Sequence, residues 1–129
     1  MIITPESKIQ QQIVQDFNNL YCTTFKNPRL IIYSVPNGIN FPLPNAQKIR
    51  VLDQLNKTGS LAGASDLIIQ GVNGRIVNIE VKAETKQSPK QIEFQQRVQD
   101  LGGVYLLVFS LEDFKEKINI HIDWLLGKV

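Results

Sequence analysis

The stretch Gly63-Ala64-Ser65-Asp66-Leu67-Ile68-Ile69-Gln70, the turn Gly71-Val72-Asn73-Gly74 and the return Arg75-Ile76-Val77-Asn78-Ile79-Glu80-Val81-Lys82 leave this chain few options. Two β-rich runs around a loop with two glycines and an asparagine predict a β-hairpin. Pairing that is symmetric about the turn puts Asp66 opposite or next to Glu80. Strand side chains alternate faces, so Asp66, Ile68 and Gln70 share a face with Ile76, Asn78, Glu80 and Lys82. Leu67, Ile69, Val77, Ile79 and Val81 form the other face, which is wholly apolar. One face is therefore core, and the other gathers two carboxylates and an ammonium.

A chain of 129 residues, 43% hydrophobic and 20% charged, is expected to form one domain (1–129) with a real core and no disulfides. Its single cysteine, Cys22, lies among Leu20, Tyr21 and Phe25 and reads as a small core residue, which argues against a thiolate metal site. The N-terminal residues lack the basic start and long apolar run of a secretory signal, and no segment is apolar for the roughly 20 residues of a membrane span. A cytoplasmic setting, in a bacterium or a phage-infected host cell, is the expectation. The net charge of +2 permits nucleic-acid binding without arguing for it.

Thr4-Pro5 starts a helix expected to reach about Tyr21, with Ile9, Ile13, Phe17 and Leu20 inward. Glu6 falls on that stripe, either as a first-turn acid favoured by the helix dipole or as a carboxylate aimed into a site. Leu30 to Ser34 reads as a short buried strand ended by Val35-Pro36-Asn37-Gly38. Asn45 is expected to cap a second helix through Lys57, with Ile49, Leu52 and Leu55 inward and Gly59 as its stop. Its Lys48, Arg50 and Lys57 form either a solvated face or one that meets phosphates. The small-residue loop from Thr58 to Ser65 has no Gly-Lys-Ser/Thr at P-loop spacing, so no nucleotide cofactor is expected. Ser88-Pro89-Lys90-Gln91 is a capped helix start with Ile92, Phe94 or Gln95, Val98 and Leu101 inward. Val104 to Phe109 reads as a strand covered on both faces, and Ser110 caps a last helix to about Lys117. A helix between the third and fourth strands implies a parallel crossover beside the hairpin. The expected fold is α/β, a mixed sheet of about four strands with helices on both sides.

Two facing carboxylates repel unless one is protonated or a cation lies between them. Hard oxygen donors without nearby cysteine or histidine favour Mg²⁺ or Mn²⁺ over Zn²⁺. Such an ion can clamp a phosphoryl oxygen and acidify a water, while Lys82 orients that water or offsets charge developing on the phosphorane. The alternative is a plain cross-strand ion pair on a solvated sheet.

Asp66, the hairpin and Glu80-Val81-Lys82 resemble the core of the PD-(D/E)XK nuclease superfamily, whose fold is restriction-endonuclease-like. Glu6, Val35-Pro36-Asn37-Gly38, Gly63-Ala64-Ser65-Asp66-Leu67, Ile79-Glu80-Val81-Lys82, Ser88-Pro89-Lys90-Gln91 and Phe94 extend that likeness to the VRR-NUC (virus-type replication-repair nuclease) family. The resemblance implies that Glu6, Asp66, Glu80 and the Val81 backbone carbonyl ligate the metal. It makes Lys82 the catalytic lysine and brings Gln91 to the site from its helix start, although Gln91 also suits the capping box. Ser65 stands where the superfamily name motif has proline, and Glu84 competes with Glu80 if the register differs. Stand-alone members resemble Holliday-junction resolvases, which implies a homodimeric Mg²⁺- or Mn²⁺-dependent endonuclease acting on four-way DNA junctions. Alternatives are a nuclease for flap, nicked or general duplex DNA, or an inactive nuclease-like DNA-binding module. Asn37, Lys48, Arg50, Lys57, Lys86 and Lys90 are the candidate DNA contacts.

Overall fold

The structure is a computed structural model, and it describes residues 4–35, 46, 47, 50, 54, 57, 59, 61–84 and 86–128. Helix α1 (Pro5–Phe17) opens as expected: Thr4 is its N-cap, Pro5 sits in the first turn, and Ser7 closes a capping box. It runs into a π-helical turn, Asn18–Cys22. That wider turn keeps i+4 and i+5 inward rather than i+3, so Tyr21 and Cys22 pack on the core. Leu20, expected inward, is 47% exposed instead.

Four strands follow: β1 (Ile31–Ser34), β2 (Leu67–Gln70), β3 (Ile76–Val81) and β4 (Val104–Val108). They form one sheet in the order β1-β2-β3-β4. The first two pairings are antiparallel, and β3 runs parallel to β4. The crossover between them is helix α2 (Pro89–Asp100), so the sheet is mixed, as the element order required. Strand β1 is a sheet edge with only Ile32 buried, not the buried strand its apolar run suggested. Ile31 and Tyr33, on the sheet face opposite Ile32, are about half exposed.

The hairpin pairs Leu67 with Ile79 and Ile69 with Val77. Those residues and Val81 are essentially inaccessible to solvent. They meet Ile13 and Phe17 of α1 together with Phe114 and Ile118 of α3 (Leu111–Asn119) and Ile122 and Leu125 of α4 (Ile122–Leu125). The segment after Lys117 thus adds a short second helix whose Ile122 and Leu125 join the core. Burying this face provides most of the driving force for the fold, at about 25 cal/mol per Å² of apolar surface. Helix α2 lies on the opposite face, with Phe94 packed against Tyr105 of β4. The sheet is therefore covered by helices on both sides.

In α2 the inward positions are Gln91, Phe94, Gln95 and Val98, while Ile92 is 54% and Leu101 88% exposed. Phe94, Gln95 and Val98 are inward as expected, whereas Ile92 and Leu101, expected inward, are not. The helix turns a polar residue, Gln91, toward a buried carboxylate, and the i, i+3, i+4, i+7 set built on that residue follows. Of the second helix, Ala46, Gln47, Arg50, Gln54 and Lys57 are helical and exposed, and Gly59 turns at φ +105. Pro36–Asn45 and the expected inward positions Ile49, Leu52 and Leu55 lie outside the described residues. Among the described residues no helix is long and apolar enough to cross a membrane.

Candidate active site

The site begins with register. Because Leu67 pairs with Ile79, the next step outward sets Asp66 against Glu80. Asp66 stands just before β2, and its Oδ2 accepts the Val81 N–H at 2.8 Å. The acid thus caps the end of the ladder where a further residue pair would have formed. Glu80, inside β3, is only 1% exposed. Its Oε1 accepts a 2.7 Å hydrogen bond from Gln91 Nε2, and its Oε2 is buried without a hydrogen-bond partner.

Gln91 makes two contacts, one within its helix cap and one to the acid. Its Oε1 accepts the Ser88 N–H at 2.8 Å, completing the capping box, while its amide nitrogen reaches Glu80. One end of the amide is tied to the helix start, so the other end is a fixed donor aimed at the acid.

Burial pushes the Glu80 carboxyl up to about 8, and the nearby Asp66 charge adds to the rise. Asp66 is also raised, again chiefly by burial, with the Val81 N–H acting against the shift. Lys82 opposes both shifts and Glu6 reinforces both. The structure therefore brings Glu6, Asp66, Glu80 and Lys82 into one electrostatic neighbourhood. Among the described residues no group of three or more His, Cys, Asp and Glu side chains is close enough to hold a metal ion. The close unit is the Asp66–Glu80 pair, with Glu6 acting on it through space. Lys82 is half-buried at the end of β3, where its N–H donates to the Val108 carbonyl at 2.9 Å. Glu84, the rival acid, is exposed beyond the strand, and the register leaves Glu80 as the partner of Asp66.

The donor set suits a divalent cation. Two hard carboxylates sit together in a site that resists their ionisation, and one buried oxygen has no donor to satisfy it. A cation resolves both conditions. Asp66 and Glu80 are the residues of this pair that could supply oxygens to it.

The candidate DNA contacts divide. Asn37 and Lys48 lie outside the described residues. Arg50 and Lys57 are exposed on helical backbone, Lys86 is exposed in the loop before α2, and Lys90 in its first turn lies 3.5 Å from Glu93. Sequence reasoning missed a polar layer beside the acids on the same sheet face. Tyr105 pairs in register with Asn78, and its hydroxyl accepts from Gln87, which also bonds Gln95. Asn78 bridges the buried Ser65 hydroxyl and the Val104 carbonyl. The signal was present in the one polar-tipped residue within the apolar run of β4 and in Asn78 two positions before Glu80.

No protein-family model matches the chain, and no curated protein matches its sequence. Solved structures do. One described as a "VRR_NUC domain protein" superposes with a TM-score of 0.69 at 19% identity, over 98% of this chain and 93% of its own. Another, described as "VRR_NUC domain", gives 0.55 at 20% identity over 93% and 96%. Both likenesses span nearly the whole chain, including the hairpin and the crossover helix. The chain therefore has the restriction-endonuclease-like α/β fold of the VRR_NUC domains.

Proposed function

We infer that this chain is a nuclease of the VRR-NUC family, hydrolysing phosphodiester bonds in DNA with Mg²⁺ or Mn²⁺. The observation that carries this reading is the pair of buried Glu80 and half-buried Asp66, set opposite each other by the hairpin register with Gln91 donating to Glu80 and Lys82 beside both. The fold shared with VRR_NUC domains supports it.

Asp66, Glu80 and the Val81 carbonyl would hold the cation, with Glu6 adding negative charge nearby. When bound, a divalent cation polarises a phosphoryl oxygen and lowers the pKa of a water. The chain's own residues do the rest. The Val81 N–H fixes the Asp66 carboxylate, and Gln91 fixes Glu80, so neither acid must reorient during reaction. The Lys82 ammonium offsets negative charge building on the phosphorane and orients the attacking water. Helix α2 closes one side of the site and limits bulk water around Glu80. Exposed Arg50, Lys57, Lys86 and Lys90 suit contact with phosphates.

A homodimer nicking four-way junctions is the finer reading. Resolution of a junction needs two symmetric nicks, and a two-fold pair of one-site domains supplies them. The test is cleavage of matched junction, flap and linear duplex DNA, with and without Mg²⁺ or Mn²⁺, by the wild type and by Asp66→Ala, Glu80→Ala and Lys82→Ala. Metal-dependent nicking lost in all three folded variants is the expected result, and full activity in any of them would sink the assignment. Equal cleavage of all three substrates would leave a general nuclease. DNA binding without cleavage by the wild type would make the chain a nuclease-like binding module.

A further inference from the structure

Beside the acid pair, on the same sheet face, lies an open groove of about 410 Å³ lined by Glu84, Lys86, Gln87, Ile92, Leu107 and Phe109. Its floor joins the site directly, because Leu107 of β4 is the register partner of Glu80. Two large apolar side chains stand in its walls facing solvent, Ile92 at 54% and Phe109 at 44% exposure. An exposed aromatic is often merely a surface residue, but Phe109 is held in place. Its N–H donates to Asp113 Oδ2 at 2.9 Å. Lys117 Nζ bonds the Leu107 carbonyl and Asp113, and lies 5.5 Å from the centre of the Phe109 ring. That network fixes the end of β4 and leaves the ring presented at the groove.

We propose that this groove takes an unpaired nucleobase of the DNA strand whose phosphate lies at Asp66 and Glu80, with Phe109 as the stacking surface. The proposal rests on the nuclease reading and deepens it by naming the substrate class as branched DNA with unpaired nucleotides beside the nick, either the arm of a flap or the bases at the branch point of a four-way junction once they have opened. The rim carries one charge of each sign, Lys86 and Glu84, so its balance is wrong for a phosphate and suitable for the uncharged part of a nucleotide. An apolar floor, a fixed ring and continuity with the acid pair are what a stacked base requires, and base–aromatic stacking tolerates any sequence. A fully paired duplex keeps its bases stacked on one another and gains nothing from the groove.

The test uses two DNAs in metal-free buffer, where no cleavage occurs. One is a duplex bearing a short single-stranded arm with 5-iododeoxyuridine at the first unpaired position, and the other is its fully paired counterpart. Irradiation should crosslink the labelled base to Phe109, located by peptide mass spectrometry. Phe109→Leu keeps an apolar side chain but removes the ring. It should lower the ratio of affinities for armed over paired DNA roughly tenfold, whereas Phe109→Trp should hold that ratio. Ile92→Ala, on the opposite wall, should lower it in the same direction. Crosslinks mapped elsewhere, or an unaltered ratio in Phe109→Leu, would overturn the proposal while metal-dependent cleavage by the wild type kept the nuclease reading intact. A wild type that neither binds nor cleaves DNA would end both.

Discussion

Gln91 shows how a single amide joins folding to chemistry. Its oxygen is bound to the Ser88 N–H and its nitrogen to Glu80, so the helix cap decides which end of the amide meets the acid. The two jobs separate by mutation. Ser88→Ala removes the side chain that accepts from Gln91 N–H but leaves the Gln91–Glu80 bond. It should cost about 1 kcal/mol in urea unfolding and leave most of the cleavage rate. Gln91→Ala loses its half of the cap as well as a bond to a buried acid, and should cost about 2 kcal/mol. It should also lower cleavage by tenfold or more, because Glu80 is left unanchored. Equal activity in the two variants would show that Gln91 serves only the helix.

At the level of elements, the site is made by docking two pieces, the loop that carries Asp66 and the helix that carries Gln91. Gly63 is the joint. It sits at φ +81, and a Cβ there would run into the Lys90 carbonyl and lie 2.8 Å from the Gln91 nitrogen. Gly74, at φ +70, has open space around it. Gly74→Ala should therefore cost about 1 kcal/mol, from the left-handed backbone alone. Gly63→Ala should cost about 3 kcal/mol by thermal or urea unfolding, from the same strain plus displacement of α2. It should also reduce cleavage, because Asp66 and Gln91 move apart. These elements also mark how far sequence could see. The Asp66–Glu80 pairing was legible, since period-two alternation about the Gly71-Val72-Asn73-Gly74 turn fixes both register and face. The caps at Thr4, Ser88 and Ser110 were legible because capping is local chemistry. The middle of the α2 stripe, Phe94 or Gln95 and Val98, was legible, but its start was not, because apolar periodicity favoured Ile92 whereas a buried carboxylate from another element selected Gln91. Leu20 was misplaced because nothing local marks a π turn. The edge position of β1 was hidden because strand order is a property of the assembled sheet, not of the Leu30-Ile31-Ile32 run.

For the whole molecule, the two faces of one sheet are set against each other energetically. One face, sealed by α1, α3 and α4, supplies the core. The other, beneath α2, buries Glu80 and half-buries Asp66 at a cost to that stability. The cost depends on pH with a definite sign. Glu80 titrates at about 8 in the folded chain against an ordinary 4.5, so between those values the folded state holds a proton that the unfolded state has released. The stability of the metal-free protein should then fall as pH rises from about 4.5 to about 8, Glu80 alone contributing at most about 1.4 kcal/mol per pH unit. Asp66, also raised chiefly by burial, contributes in the same direction. Glu80→Gln removes the main titrating group and should flatten the curve, leaving the variant more stable than the wild type at pH 8. A divalent cation competes with that proton, so Mg²⁺ or Mn²⁺ should raise the melting temperature more at pH 8 than at pH 6. Melting curves across pH, with and without metal, on the wild type and Glu80→Gln decide the matter. A wild-type curve without a downward slope across that window would mean that the acid pair is not strained in the folded chain. A metal effect that persisted in full in Glu80→Gln would place the cation elsewhere on the molecule.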